Sequence, residues 1–345
     1  MEGEEMDRER YSRQILFKPI GDKGQNEISS KHVLILGVGA LGTHTAETLA
    51  RAGVRKITII DRDYVEMSNL QRQHLYTETD ALERWPKAEA AKDKLKRINS
   101  SVDIEAIVGH ADAEMLEPIM DDVDLLMDGT DNFDARFLLN DLAHKYNIPY
   151  IFGSCVGSFG MTFTIIPGVT PCLQCLLKRL PLQGQTCDTV GIIAPTVQMV
   201  TAQQSAEALK ILSGNNEAVR KTYVSFDLWE NDYLSLKAGA LKDPDCHTCG
   251  PSPTYPYLQK DAEMKVAVLC GRNTVQIRPA TGKTLTLERL TERWREAGYE
   301  VSGNPFLVSV IKEGTRVVFF KDGRALVHGT NNQVEARKVY HSLVG

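Results

Sequence analysis

Two Cys-x-x-Cys pairs, Cys172/Cys175 and Cys246/Cys249, share one chain with the glycine run Gly37-Val38-Gly39-Ala40-Leu41-Gly42. Each pair offers two thiolates at a spacing that suits one tetrahedral ion. Two pairs complete a closed shell of four sulfurs with no position left for a substrate. The expected metal is therefore a structural zinc, with redox pairing inside each Cys-x-x-Cys as the alternative. The glycine run has another use. Where GxGxxG follows a strand and opens a helix, bare backbone N–H groups approach a phosphate at the positive helix end. Asp61 ends the next expected strand, where a carboxylate accepts hydrogen bonds from ribose hydroxyls. An NAD-dependent oxidoreductase would carry the same features up to this point.

The next residues suit a triphosphate better than a hydride carrier. They are Ser68-Asn69-Leu70-Gln71-Arg72-Gln73, then Lys87, then Asp128-Gly129-Thr130-Asp131-Asn132. Arg72 and Lys87 carry the charge to neutralise phosphoryl oxygens. Asp131, at the carboxyl end of an expected strand, can hold Mg²⁺ through one carboxylate oxygen and several waters. Taken singly, Arg72 and Lys87 also read as solvated surface charges, and Asp131 as a helix N-cap. His44 and His74 have no use as a base toward a carboxylate that is already ionised, and are expected to be structural.

These residues need a scaffold, and the apolar pattern supplies one. Runs at 33–36 and 57–60 read as buried parallel strands with an amphipathic helix, 41–52, crossing between them. Helix 87–98, strands near 104–108 and 123–127, helix 132–146 and strand 150–152 continue the alternation. Strand 159–166, helix 196–212 and strand 223–226 follow. Alternating strand and helix predict a Rossmann-like, doubly wound α/β sheet over residues 1–250. Pro251, Pro253 and Pro256 interrupt any regular element, so 251–260 is expected to be a linker. A small C-terminal α+β domain, 261–345, then shows strands at 266–269, 275–278, 306–311, 317–320 and 325–328 and helices near 287–297 and 334–343. Asp322-Gly323 marks a hairpin there. The domain reads as a binding or dimer-supporting module.

Composition narrows the partners. With 345 residues and 25 % charged side chains the chain has the makeup of a globular protein of two domains. A net charge of -5 argues against a nucleic-acid partner, whose phosphates demand a basic face. No stretch approaches the roughly 18–20 apolar residues of a membrane span, and residues 1–10 are too acidic and polar for a secretory signal. The expected location is the cytoplasm. Beyond the four cysteines at metal spacing, Cys155 and Cys270 read as packing residues and Cys187 as a thiol ahead of a helix, where the helix dipole favours the thiolate.

Arg10-Tyr11-Ser12-Arg13-Gln14, the glycine loop, Ser68–Gln73, Pro86-Lys87, Thr130-Asp131-Asn132 and the paired Cys-x-x-Cys motifs together resemble the ThiF/MoeB family of sulfur-carrier-protein adenylyltransferases, bacterial relatives of ubiquitin-activating enzymes. The resemblance runs in order over residues 7–250. It implies adenylation of the C-terminal Gly-Gly carboxylate of a ubiquitin-like sulfur carrier, with ATP and Mg²⁺ consumed and pyrophosphate released. The thiazole branch, with a ThiS-type carrier, is preferred over the MoaD-type small subunit of molybdopterin synthase. By matching positions, Gly37, Gly39, Ala40 and Gly42 cradle the nucleotide and Asp61 holds the ribose. Ser68, Asn69 and Arg72 line the phosphates, Lys87 offsets their charge, and Asp131 with Asn132 beside it takes the Mg²⁺. Arg13 matches an arginine that enters the neighbouring subunit's ATP site, which implies a homodimer. Cys187 matches a thiol near the acyl-adenylate, suited to attack on an activated carboxyl or a persulfide, with a buried packing residue as the alternative reading; a sulfurtransferase is a further partner the resemblance allows. Ala40 departs from the family's usual second consecutive glycine, and its methyl group is expected to narrow the approach to the backbone.

Overall fold

The computed structural model describes residues 2–179, 190–259, 265–269, 273–278 and 286–344; Cys187 and Cys270 lie outside them. The chain divides into two compact units. The first takes in Met1–Glu78, Pro86–Cys187 and Gly191–Lys260, and the second Thr79–Trp85, Asp188–Val190 and Asp261–Gly345.

The first unit is built on one sheet of β1 (His32–Leu36), β2 (Lys56–Asp61), β3 (Asp103–Val108), β4 (Leu125–Asp128), β5 (Tyr150–Val156), β6 (Phe159–Ile165), β7 (Thr222–Asp227) and β8 (Asp232–Lys237). Their order is β3-β2-β1-β4-β5-β6-β7-β8. Pairing is parallel from β3 through β5 and antiparallel from β5 to β8. Val33, Leu34 and Ile35 are fully buried, which explains why the parallel strands read as unbroken apolar runs: helices cover both faces of the sheet. The strand order reverses between β1 and β4, where Leu36 pairs with Asp128. Loops leaving the carboxyl ends of those two strands diverge there, and the divergence opens the crevice in which such sheets bind ligands.

Among the elements absent from the sequence expectation are helices Gly21–Ile28 and Leu173–Arg179, strand β8 and strand Glu300–Gly303. β8 shows no alternation because all of its residues are exposed; it exists as an edge strand paired to β7. Residues 251–259, expected as a linker, belong to the first unit and make contacts within it. Thr254 N donates to His247 O, Tyr257 N donates to the Asp141 carboxylate at 2.8 Å, and the Tyr257 ring stacks on Phe137 at 4.9 Å. The prolines prevent a regular element without preventing docking.

In the second unit β9 (Lys265–Leu269), β10 (Thr274–Arg278), β11 (Glu300–Gly303), β12 (Leu307–Lys312), β13 (Thr315–Phe320) and β14 (Ala325–His328) form an antiparallel sheet in the order β11-β12-β13-β14-β10-β9. Helices Leu287–Glu296 and Gln333–Val344 contribute Trp294 and Tyr340 to a core with Val310 and Phe319. Asp322-Gly323 lies in the β13–β14 turn. The β12–β13 turn uses Glu313 and Gly314, both at positive φ (50° and 79°), the backbone signature of a type I′ hairpin. No described helix is long and apolar enough to cross a membrane.

Candidate functional site

The glycine loop leaves β1 at the point where the strand order reverses. Gly37, at φ +86°, donates its N–H to Ile60 O on β2, while Gly129 N donates to Leu36 O on the other side. A Cβ on Gly42 would stand 1.9 Å from Gly37 O, so the helix Ala40–Ala52 can start against the loop only without a side chain at that position. Gly39 differs. A Cβ built there would meet only the Gln73 amide nitrogen, at 3.7 Å, so its face is open. Gln73 is buried and its Oε1 has no hydrogen-bond partner. An open backbone face beside an orphaned buried amide oxygen fits a ligand that brings a hydrogen-bond donor to it. Ala40 turns its methyl toward a cluster that includes Leu41, Val197, Val200 and Phe226, so packing absorbs it.

Asp61 ties the loop to β2. One carboxylate oxygen accepts from Val38 N at 2.7 Å and the other from Asp63 N at 2.7 Å. Burial pushes its pKa up, Lys87 pulls it down, and Asp63 adds to the upward push. Lys87 opens the helix Lys87–Ile98, is almost fully buried, and places Nζ 3.8 Å from Asp63 Oδ2. Tyr76 completes the web by donating to Val38 O at 2.6 Å and Lys87 O at 3.1 Å. The structure therefore brings Gly39, Gln73, Asp61 and Lys87 to one loop.

The remaining expected residues fall into two groups. Arg72 is partly exposed and donates to Ser68 O at 2.9 Å, and Ser68 is exposed in the same turn. Asn69 is buried: its Oδ1 accepts from Glu66 N in a capping box, and its Nδ2 donates to Ser68 Oγ at 3.5 Å. Asp131 is exposed, one residue past a rigid turn. Asn132, not Asp131, caps the helix Phe133–Tyr146, with its side chain accepting from Ala135 N at 2.9 Å. Arg13 lies exposed in the last turn of the N-terminal helix Glu2–Ile15.

The turn that carries Asp131 is held by a network the sequence reading did not single out. Asp128 Oδ1 accepts from both Thr130 N and Thr130 Oγ1 at 2.8 Å, while Oδ2 accepts from Arg136 Nε at 3.2 Å and Tyr150 OH at 3.1 Å. Arg136 Nη2 donates back to Thr130 O at 2.9 Å. The available signal was an arginine on the inward face of a helix, three residues before the buried Leu139.

His44 and His74 stack with ring centroids 3.7 Å apart, and His74 Nε2 is bonded to the Glu47 carboxylate, which Arg51 also holds. Burial, followed by the charge of His74, lowers the His44 pKa to about 4; the Arg72 carbonyl side and Glu47 oppose the shift. A histidine held neutral in the fold stabilises fully above its ordinary value of 6.5, and that stability is lost as pH falls from 6.5 toward 4. The drop in melting temperature between pH 7 and pH 4.5 is therefore expected to be smaller in His44→Gln than in the unsubstituted protein. Equal drops would mean that His44 takes up its proton in the folded state.

Far along the chain, the Sγ atoms of Cys172, Cys175, Cys246 and Cys249 all lie within 4.8 Å of one another. The N–H groups of Asp243 and Thr248 point at the sulfurs of Cys175 and Cys246, at 3.3 and 3.4 Å. Bonding from Cys172 pulls Cys246 down to about 6 and, with Cys175, Cys249 to about 4. Four convergent sulfurs with N–H donors fit a closed tetrahedral metal shell.

Fold and site together define a Rossmann-like α/β domain with a separate cluster of four cysteines that could hold a metal ion. A model of the ThiF family matches residues 11–248, and the chain belongs to that family. It is 48 % identical over 336 residues to the sulfur carrier protein ThiS adenylyltransferase of Bacillus subtilis (strain 168), covering 97 % of this chain and 99 % of that protein. The molybdopterin-synthase adenylyltransferase of Escherichia coli (strain K12) is 33 % identical over 243 residues, with 70 % of this chain and 96 % of that one covered. Among solved structures, that of E. coli MccB with ATP superposes with a TM-score of 0.60 at 25 % identity, over 70 % of this chain and 74 % of that chain.

Proposed function

We propose that the protein adenylates the C-terminal Gly-Gly carboxylate of a ThiS-type, ubiquitin-like sulfur carrier with ATP and releases pyrophosphate. The observation that carries this reading is how the glycine loop is tied to its neighbours: Val38 N donates to the Asp61 carboxylate, Tyr76 OH donates to both Val38 O and the backbone carbonyl of Lys87, and Lys87 Nζ lies 3.8 Å from Asp63. These ties support the roles proposed for Asp61 toward ribose and for the buried Lys87 toward phosphate. The identity of 48 % along nearly the whole chain to a ThiS adenylyltransferase supports the thiazole branch over the molybdopterin branch.

In this reading ATP lies across Gly39 and offers Gln73 Oε1 a hydroxyl or amino donor. A carboxylate oxygen of the carrier attacks the α-phosphorus, the bond to the bridging oxygen of the pyrophosphate breaks, and an acyl-adenylate results. The nucleophile is an anion approaching a polyanion, so the barrier is largely electrostatic and positioned cations lower it. Lys87 and Arg72 are those cations. Mg²⁺, held by Asp131, would neutralise phosphate charge; Cys172, Cys175, Cys246 and Cys249 would hold Zn²⁺ as a structural crosslink. Arg13, exposed on the N-terminal helix, is assigned to the ATP site of a second subunit in a homodimer.

ATP–pyrophosphate exchange with purified carriers tests the reading. Exchange is expected with a ThiS-type carrier and ATP·Mg. Exchange with a MoaD-type carrier alone would move the protein to the other branch. Thermal stabilisation by NAD with none by ATP·Mg would replace the reaction class, since a ligand at about 100 times its dissociation constant adds about 2.7 kcal/mol. The glycines divide in the same experiment. Gly42→Ala should lower stability by about 1–3 kcal/mol, the cost of overpacking. Gly39→Ala should cost less stability and weaken ATP binding more, because its face is the open one.

A further inference from the structure

Arg136 places a permanent charge on the inward side of the helix Phe133–Tyr146, where it is almost fully buried. Its guanidinium meets three separate pieces of the first unit. Nε donates to Asp128 Oδ2 at 3.2 Å, at the end of β4, while Nη2 donates to Thr130 O at 2.9 Å and to Gly153 O at 3.3 Å, on β5. The Phe133 and Phe152 rings lie against it, with centroids 5.4 and 5.3 Å from Cζ. Thr130 O belongs to the peptide group that joins Thr130 to Asp131, so this bond acts on the rigid plane that carries the Asp131 N–H. Asp128 holds the other side of Thr130, through Thr130 N and Oγ1. Burial pushes the Asp128 pKa up, and the Arg136 charge is the largest of the effects that oppose it. The turn is also packed directly on the glycine loop: a Cβ built on Gly129 would stand 2.1 Å from Gly37 O. Asp131, exposed at the far end of this turn, has no hydrogen bond or ion pair among the described residues, so its backbone decides where the carboxylate stands.

We infer that Arg136 is a positioning residue for Mg²⁺: by holding the peptide that precedes Asp131, it sets where that carboxylate stands against the glycine loop. This rests on the proposed role of Asp131 toward the metal. Mg²⁺ demands near-ideal octahedral geometry, so a carboxylate that drifts with its turn holds the ion poorly. A guanidinium suits the task because its planar fork aims several donors at fixed angles, whereas lysine offers a compact point charge on a flexible stem. Arg136 acts only through the Thr130–Asp131 peptide and needs no contact with nucleotide or metal. Tyr150 supplies the comparison. Its hydroxyl donates to the same Asp128 Oδ2 at 3.1 Å, but it is not the donor to Thr130 O.

Calorimetric titration of the full-length protein with ATP, once in Mg²⁺ and once in EDTA, reads the metal's share of binding apart from turnover. ATP should bind more tightly in Mg²⁺, and Asp131→Asn should remove most of that ratio. A ratio that Asp131→Asn leaves intact would take the metal away from Asp131, and the inference with it. Arg136→Lys keeps a cation beside Asp128 and should reduce the ratio about fivefold, the scale of one net hydrogen bond, with the affinity for metal-free ATP kept. Tyr150→Phe should lower the melting temperature and leave the ratio unchanged. With Asp131→Asn behaving as expected, an unchanged ratio in a folded Arg136→Lys protein would overturn the inference alone. So would an equal loss of affinity with and without Mg²⁺, or an equal fall of the ratio in Tyr150→Phe, since general loosening of the Asp128 pair would then suffice. Should Arg136→Lys not fold, Phe133→Leu decides, because it strips a partly exposed ring from the guanidinium and keeps Arg136 itself. A fall in the ratio of about twofold is expected there, and no fall would overturn the inference.

Discussion

Arg72→Ala should slow ATP–pyrophosphate exchange by about 10²-fold or more, the scale of losing one charge partner of a transition state, while leaving the melting temperature nearly unchanged. The contrast follows from where the side chain sits. Arg72 is partly exposed, and its described side-chain hydrogen bond goes to Ser68 O in its own turn, so little of the fold leans on it. Lys87→Ala should lose activity on the same scale and also destabilise, because Lys87 is the cation that opposes the burial of Asp61 and faces Asp63 at 3.8 Å. Removing it leaves two carboxylates close together in a buried place. Calorimetry and exchange on the two variants check both halves. Equal melting temperatures for both variants would show that Lys87 is not the partner of the Asp61–Asp63 pair. Full exchange activity in Arg72→Ala would remove that arginine from the phosphate site.

Much of this arrangement is readable before any coordinates, and the reason is physical. Parallel strands buried on both faces leave unbroken apolar runs, as at 33–36 and 57–60, and a backbone that must touch both a phosphate and its own helix leaves glycines at fixed spacing. Four thiols on two Cys-x-x-Cys motifs are legible for a similar reason: their spacing is the one a single tetrahedral ion requires, and the structure brings the four sulfurs together. Side chains that act through other side chains leave no such trace. Asp128 and Arg136 form their buried pair only once β4 and the helix Phe133–Tyr146 are packed, and Asn132 took the capping role that Asp131 was also suited to fill. β8 was invisible because neither of its faces is buried. The division into units was least legible. Thr79–Trp85 joins the second unit through the backbone carbonyls of Glu83 and Arg84, groups every residue carries.

Cys172→Ser, or prolonged chelation of the unsubstituted protein, should lower the melting temperature by about 10 °C, the shift expected for a loss of several kcal/mol from a domain of this size. The effect should come before any selective change in chemistry, because the cluster acts on the site only through packing. Cys172 and Cys175 flank the start of the helix Leu173–Arg179, and Leu173 N donates to Asn140 Oδ1 at 2.7 Å. On the other side, Thr248 Oγ1 donates to the buried Asp141 carboxylate at 2.6 Å. Asn140 and Asp141 lie on the helix that begins just after Asp131 and Asn132. Losing the ion would release both loops from that helix and leave the Asp141 carboxylate, whose pKa burial already raises, short of a donor. Activity and folded fraction should therefore decline together along a chelator titration, and added Zn²⁺ should restore both. Cys155→Ser, outside the cluster, supplies the thiol control. A chelated protein with an unchanged melting temperature would show that the four sulfurs do not hold a structural ion.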